Sequence, residues 1–138
     1  MTLIEVIVVL FIIALASAVA GPAVMNRLDN LALQSTATEL IAELRRADLA
    51  ARTERIPIVC AYDTHQFRFL KKTSPISTYD LPPSVAVLSA PQPATFLFLP
   101  SGQILGPDHI ELQNARGRHA TIRVSFLGGI ALASSGIQ

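Results

Sequence analysis

The chain has 138 residues, of which 51% are hydrophobic, and its eleven Lys or Arg and ten Asp or Glu residues give a formal net charge of +1. Its mean hydropathy of +0.46 is too high for an ordinary soluble domain, and its length leaves room for one domain beyond a membrane segment. A charge this close to balance gives no broad electrostatic attraction for a polyanionic partner.

An uncharged apolar run extends from residue 6 to residue 25, directly after the carboxylate of Glu5. Since about 20 residues at about 1.5 Å each span a hydrocarbon core of roughly 30 Å, a transmembrane helix is predicted within residues 1–25. No Lys or Arg precedes Arg27, so the flanks do not fit a removable signal peptide. An acid at the edge of such a segment is costly, which makes Glu5 a functional candidate whose nearest partner is an α-amino group.

The next segment, at about residues 26–54, has the three- and four-residue spacing of an amphipathic helix. The apolar positions expected to pack against a folded domain are Leu28, Leu31, Ala37, Leu40, Ile41, Leu44, Ala47 and Ala51. Two pairs are spaced for ion pairs on a solvated face: Glu43 with Arg46, and Asp48 with Arg52. One helix is therefore predicted from Thr2 to about Thr53, with half of it in lipid and a kink at Gly21-Pro22.

From residue 56 onward the pattern shifts towards the two-residue period of strands, with turns rich in Gly, Pro and Asp between them. Seven strands are predicted, at residues 58–62, 66–70, 85–88, 95–99, 109–112, 121–126 and 130–133. In the strand at 121–126, Ile122, Val124 and Phe126 are expected to share the buried face. The stretches at 71–80 and 89–94, rich in Ser, Thr and Pro, are predicted to be loops.

One long helix followed by short strands favours an α+β fold. The outer half of the long N-terminal helix is expected to pack against a head made of an antiparallel β-sheet or β-sandwich. The predicted domains are a membrane and assembly segment at 1–25 and a head at 26–138, of which residues 56–138 are rich in strands.

The residues Thr2 to Val6, followed by the apolar helix, resemble the mature N-terminus of type IV pilins and of type II secretion pseudopilins. The remainder is similar to the H-type minor pseudopilins (general secretion pathway protein H), a family that includes related minor pilins of type IV pili. The stretches that carry this second likeness are residues 47–52, 96–102 and 120–133. The resemblance implies the pseudopilin fold.

The resemblance also implies a precursor with a short basic leader, which a prepilin peptidase cleaves and N-methylates in the inner membrane. Family members usually begin with Phe, so either Met1 is the mature first residue or the leader is missing from this sequence. In the family, the acid that matches Glu5 attracts the N-terminal amine of an adjacent subunit during assembly. The implied assembly residues are Met1, with a free or methylated amine, Thr2, Leu3 and Glu5.

These features together predict a minor pseudopilin, a single-pass inner-membrane protein with its C-terminal head in the periplasm. Its expected place is near the tip of a type II secretion pseudopilus, which assists the export of folded proteins. The implied partners are other major and minor pseudopilins, the inner-membrane platform, the prepilin peptidase and membrane lipid. Two alternatives stay open: a type IV pilus minor pilin involved in assembly or DNA uptake, and a membrane-tethered adaptor that forms no filament.

A local basic cluster near the C-terminus contains Arg116, Arg118 and Arg123, which could contact the phosphates of DNA. From residue 26 onward, however, eleven basic residues stand against nine acidic ones, a net charge of only about +2. Few aromatic residues lie between the arginines to stack on bases. A charged, solvated strand edge is the favoured interpretation, and nucleic acid is disfavoured as a partner.

Residues that could carry catalysis are sparse. Cys60, His65, His109 and His119 lack the spacing of a catalytic triad, a zinc site or a phosphate loop, so no enzyme activity, cofactor or metal is predicted. Cys60 lies in a predicted strand and is expected to be a small buried hydrophobe. A lone Cys cannot form the C-terminal disulfide loop of many major pilins, which favours a pseudopilin or a minor pilin.

Overall fold

The structure, a computed structural model, describes residues 2–88 and 94–136. In these ranges one helix is followed by nine strands, which confirms the predicted α+β class. The elements are α1 (Leu3–Glu54), β1 (Ile58–Tyr62), β2 (Gln66–Lys71), β3 (Ser74–Asp80), β4 (Val85–Val87), β5 (Ala94–Phe98), β6 (Ile104–Leu105), β7 (His109–Asn114), β8 (His119–Val124) and β9 (Ile130–Gly136).

Helix α1 is continuous through Pro22 and ends at Arg55, whose left-handed backbone (φ 55°) terminates it. The single long helix was therefore predicted correctly. Its first part, residues 3–25, is exposed throughout, and we call this part the stem. We call the described residues from 26 onward the head.

The strands form two antiparallel sheets, and α1 contacts strands of both. The first sheet has the order β3-β2-β1-β5-β6, and the second has the order β4-β7-β8-β9. Apolar side chains from both sheets and from the outer half of α1 form one core. At its centre the ring of Tyr62 stacks on Phe67 and Phe96, with ring centroids 5.1 and 5.6 Å apart.

The buried face of α1 differs from the predicted one at its beginning. Leu28 and Leu31 are 54% and 60% exposed, and the buried face begins at Leu33. At about 100° per residue, Leu28 and Leu31 lie on the opposite side of the helix from Leu33. The prediction was wrong for Leu28 and Leu31 because their three-residue spacing fits a helix. Spacing alone does not show which side of the helix the head covers. The other six predicted positions are buried.

The seven predicted strands are confirmed, with ends that differ by up to three residues, but β3 and β6 were missed. Strand β3 occupies most of the stretch predicted as a loop at 71–80, and it tolerates Pro75 because it is the edge strand of its sheet. Strand β8 ends at Val124, so Phe126 lies in the following turn and is 51% exposed, contrary to its predicted burial. Of the predicted loop at 89–94, residues 89–93 lie outside the described residues.

Candidate assembly surface

The stem presents an apolar surface that the head does not cover. Helix α1 is long and apolar enough to cross a membrane, and none of its most apolar 18-residue stretch is buried within the molecule. The exposed side chains include Val9, Phe11 and Ile13, which are 49%, 63% and 55% exposed. An exposed, mostly apolar surface of this kind is consistent with a membrane anchor.

Glu5 lies in the first turn of the stem. The Thr2 carbonyl accepts hydrogen bonds from the backbone N–H groups of Glu5 and Val6 at 3.1 and 3.3 Å, while the Thr2 side chain makes no capping bond. Glu5 is exposed, and none of the ion pairs within residues 2–88 and 94–136 involves its carboxylate. Met1 lies outside the described residues. Thr2 and Leu3, the other described residues of the predicted assembly set, are exposed at the same end of the stem.

The first residues of the head are tied to the turn between β7 and β8. The Arg116 guanidinium places Nε 2.5 Å from Oδ2 of Asp29, and its Nη1 donates to the side-chain oxygen of Asn26. The turn itself is held by buried Asn114, whose Oδ1 accepts from the backbone N–H groups of Arg116 and Arg118 at 3.0 Å each. This contact between α1 and the second sheet was not predicted from the sequence.

The three arginines of the predicted basic cluster do not form one patch. Arg116 and Arg118 lie at the β7–β8 turn, whereas Arg123 lies near the far end of β8, opposite His109. Five residues of extended chain separate Arg118 from Arg123, or about 17 Å. Near that far end, Nδ1 of His109 lies 2.6 Å from Oδ1 of Asp108. This contact, reinforced by the positive charge of Arg123, lowers the pKa of the Asp108 carboxyl.

The stretches of the sequence that carry the resemblance meet around Arg52, near the end of α1. Its Nη2 lies 3.0 Å from Oδ2 of Asp48 and donates to the Gly102 carbonyl at 3.4 Å. A Cβ atom at Gly102 would lie 2.9 Å from Cζ of Arg52, and one at Gly128 would lie 2.5 Å from Nη2. Both glycines also have positive φ, +91° and +93°. The guanidinium therefore joins the helix to two loops that approach it closely.

The predicted ion pairs on α1 both form, but only one lies on a solvated face. Arg46 Nη1 lies 2.9 Å from Oε1 of Glu43, and the Arg46 side chain is 75% exposed. Asp48 is buried against the head, so the prediction that its pair with Arg52 is solvated was wrong. A buried carboxylate needs a charged partner, and Arg52 supplies it.

Cys60 is buried in β1, as predicted, and burial raises the pKa of its thiol to about 12. Such a thiol is a poor nucleophile and a poor metal ligand. Across residues 2–88 and 94–136, no group of three or more His, Cys, Asp or Glu residues is arranged to hold a metal ion.

Comparison with known proteins identifies the fold. Neither a family model nor a curated protein matches the chain. Among solved structures, it is similar to the minor pseudopilin EpsH from the Type 2 Secretion System of Vibrio cholerae, with a TM-score of 0.60 and 13% identity over 74% of this chain and 96% of that one. Two crystal forms of the type IV minor pilin FimU of Pseudomonas aeruginosa give TM-scores of 0.58 and 0.56 at 19% identity, over 74% of this chain and 93% and 88% of theirs. The chain therefore has the type IV pilin-like fold that EpsH and FimU share.

Proposed function

We propose that the chain is a subunit of a pilin-like filament, anchored in a membrane by its stem before assembly. The observation that carries this proposal is the division of one helix into two surfaces. The outer part of α1 supplies core residues such as Leu40 and Leu44, whereas the stem is exposed over residues 3–25. A free apolar stem suits lipid before assembly and the stems of neighbouring subunits afterwards.

Within this class, the proposed role is that of an H-type minor pseudopilin near the tip of a type II secretion pseudopilus. The likeness of fold to EpsH over 74% of the chain and the Thr2 to Val6 segment of the stem support this role. The stem would cross the inner membrane once, with the head in the periplasm. A prepilin peptidase, the inner-membrane platform and other pseudopilins would then be its partners.

A type IV pilus minor pilin is the second candidate, because FimU has the same fold at 19% identity. Deleting the gene separates the two roles. Loss of protein secretion with intact pili supports the pseudopilin, whereas loss of pili with normal secretion supports the minor pilin. A membrane-tethered adaptor that forms no filament is supported if the chain never copurifies with other pilin-like subunits.

Glu5 is the proposed assembly residue, and the N-terminal amine of an adjacent subunit is its proposed partner. Two unit charges about 4 Å apart interact by about 4 kcal/mol at an effective dielectric constant near 20. The attraction of a carboxylate to its own helix N-terminus is smaller, about 0.3–1 kcal/mol. The intersubunit pair would therefore set the register between stems whose apolar surfaces alone would let them slide.

The experiment that tests the role of Glu5 replaces it with Gln, which keeps the shape and removes the charge. Glu5→Gln is expected to reach the membrane in normal amounts but to be absent from the isolated filament fraction. Ser17→Ala is the matched control in the stem, because the Ser17 hydroxyl only donates to the Ile13 carbonyl of the same helix at 2.8 Å. This control should enter the filament as the parent chain does.

Normal incorporation of Glu5→Gln would show that the charge has no role in assembly. Loss of Glu5→Gln from the membrane itself would place the requirement at insertion instead.

A further inference from the structure

The β7–β8 turn, residues 114–118, lies beside the point where the apolar stem ends. Arg116 contacts Asn26 and Asp29, which are the first and fourth residues after the stem. Four residues of helix rise by only about 6 Å, so the turn is within about 6 Å of the end of the apolar segment along the helix axis.

This height corresponds to the head-group layer of a bilayer, given the membrane anchorage proposed above. The apolar run at residues 6–25 is about 30 Å long, which matches the hydrocarbon core, and the polar layers add roughly 5–7 Å on each side. Residues 26–29 therefore lie among lipid phosphates, and the β7–β8 turn lies beside them.

The charge at this level is positive. Within the described segments 26–29 and 114–118, Arg27, Arg116 and Arg118 stand against the carboxylate of Asp29, a balance of +2 for these residues. Arg27 is exposed, and 45% of the Arg116 side chain remains accessible although it contacts α1. The guanidinium of Arg116 has five N–H donors. Its Nε–H donates to Asp29 and one N–H of Nη1 donates to Asn26, so these two bonds use two of the five.

The turn is also held in a fixed position. Asn114 is 4% exposed and accepts from two backbone N–H groups of the turn, and the Ala115 N–H donates to the Ser84 carbonyl at 3.2 Å. The arginines are therefore presented at a set height by the scaffold, with less loss of entropy on binding than a mobile loop would incur.

We propose that the β7–β8 turn binds the phosphates of anionic phospholipids at the membrane surface, with Arg116 and Arg118 as the phosphate-binding side chains. Arg27 on the adjoining helix adds to the attraction. Duplex DNA is the disfavoured ligand at this place, because with the stem anchored as proposed the duplex would have to displace a bilayer of the same charge from the same side of the turn.

The test uses the full chain in lipid nanodiscs with a fluorescent label on the turn. Ala115→Cys introduces an exposed thiol, whereas Cys60 is buried and does not react at neutral pH. Quenching is measured in discs of equal parts phosphatidylcholine and phosphatidylglycerol, with the spin label on the head group of the neutral lipid in one kind of disc and on that of the anionic lipid in the other. Because the turn is proposed to gather anionic lipid around it, the anionic label is expected to quench roughly two-fold more than the neutral label, and 1 M salt, with a Debye length of about 3 Å, should remove the difference.

One test variant, Arg118→Gln, is compared with two controls, Lys72→Cys for the position of the label and Arg68→Gln for the loss of an arginine elsewhere. Lys72→Cys places the same label at the β2–β3 turn, beside the end of α1 and on the order of 40 Å farther along the helix, where no lipid effect is expected. Arg118→Gln in the Ala115→Cys chain should abolish most of the anionic effect without touching the contact between Arg116 and Asp29. Arg68→Gln, an exposed arginine on β2, should leave it unchanged.

Three outcomes would overturn the proposal. The first is quenching that is equal in both kinds of disc, and the second is an anionic effect that persists in Arg118→Gln and in Arg116→Gln. The third is binding of duplex DNA that needs these arginines while anionic lipid has no effect. A separate label at Val19→Cys, read with a spin label on acyl chains, reports membrane insertion, so failure of the proposed anchor is distinguished from failure of lipid binding.

Discussion

Gly128 lies where the β8–β9 turn meets the Arg52 side chain, and the geometry there leaves no room for a side chain. A Cβ atom would be 2.5 Å from Nη2 of Arg52 and 2.7 Å from the Gly102 carbonyl oxygen, on a backbone with φ of +93°. Gly128→Ala is therefore expected to lower the free energy of unfolding by about 1–3 kcal/mol. Urea unfolding of the full chain in detergent micelles, followed by circular dichroism, measures this loss.

Gly129→Ala, in the same turn, is the matched control for Gly128→Ala. A Cβ atom at Gly129 would be 3.4 Å from Cβ of Ser125, an ordinary contact. Its effect should stay within about 0.5 kcal/mol. Equal losses for the two variants would refute the steric role of Arg52.

Cys60 should make the fold sensitive to alkaline pH. Burial raises the pKa of its thiol to about 12 from the ordinary value of 9.0, so above pH 9 the unfolded chain loses this proton while the folded chain keeps it. The contribution of the protonated thiol to the free energy of unfolding is therefore complete below pH 9. This contribution is lost progressively as the pH rises from 9 towards 12. The free energy of unfolding should fall by about 1 kcal/mol between pH 9 and pH 10.

Cys60→Ala isolates the thiol in the same urea titration. Its unfolding free energy should be lower at neutral pH, because a buried atom is removed, but nearly flat between pH 9 and pH 10. Tyr62, whose pKa is also raised by burial, responds mainly above its ordinary value of 10.0. A slope that is unchanged in Cys60→Ala would assign the alkaline loss to other groups.

The outer part of helix α1 stabilises the head through one face only, and two leucines on it test this. Leu44 is fully buried, whereas Leu49, on the same helix, is 64% exposed. Leu44→Ala should cost about 2–5 kcal/mol of unfolding free energy, because it removes buried methyl groups and leaves a cavity. Leu49→Ala should change the free energy by less than about 0.5 kcal/mol. Similar urea midpoints for the two variants would contradict the assigned face.

Strands with alternating apolar residues were predictable because their pattern is local. Strand β8 has Ile122 and Val124 on its buried side, and this period is visible without any structure. Strand β3 has no such pattern, since six of its seven residues are exposed. It pairs with β2 as an edge strand, and its contacts with α1 include a hydrogen bond from the Tyr79 hydroxyl to Glu39 at 2.9 Å. No local signal distinguishes such a strand from a polar loop.

The same limit applies to the candidate surfaces. Glu5 was predictable because its meaning depends only on its place at the start of an apolar run. The contact of Arg116 with Asp29 joins residues 87 positions apart, and neither residue stands out in its own segment. Three arginines close in sequence suggested one basic patch, but an extended strand carries Arg123 to the opposite end from the β7–β8 turn.

At the scale of the whole molecule, the head should fold without the stem. No residue of the stem is buried against the head, whereas the core begins at Leu33 and Asp29 still reaches Arg116. Deleting residues 2–25 is therefore expected to shift the thermal midpoint of the head by no more than about 2–4 °C, which corresponds to at most about 1 kcal/mol. Differential scanning calorimetry measures the shift.

A longer deletion supplies the comparison. Removing residues 2–40 also takes away Leu33, Ala37 and Leu40 from the core, and this chain should show no cooperative transition. A head that melts far below the full chain after the shorter deletion would mean that the stem contributes to its stability.

The continuity of α1 through Pro22 has a mechanical consequence. Because no linker joins stem and head, rotation of the head about the helix axis turns Glu5 with it. One residue added to the stem would swing Glu5 by about 100° and move it by about 1.5 Å relative to the head. Seven added residues would almost restore the angle but displace Glu5 by about 10 Å. The number of residues in the stem therefore determines the direction in which the Glu5 carboxylate points relative to the head. Once the head is bound to a neighbouring subunit, that direction is fixed.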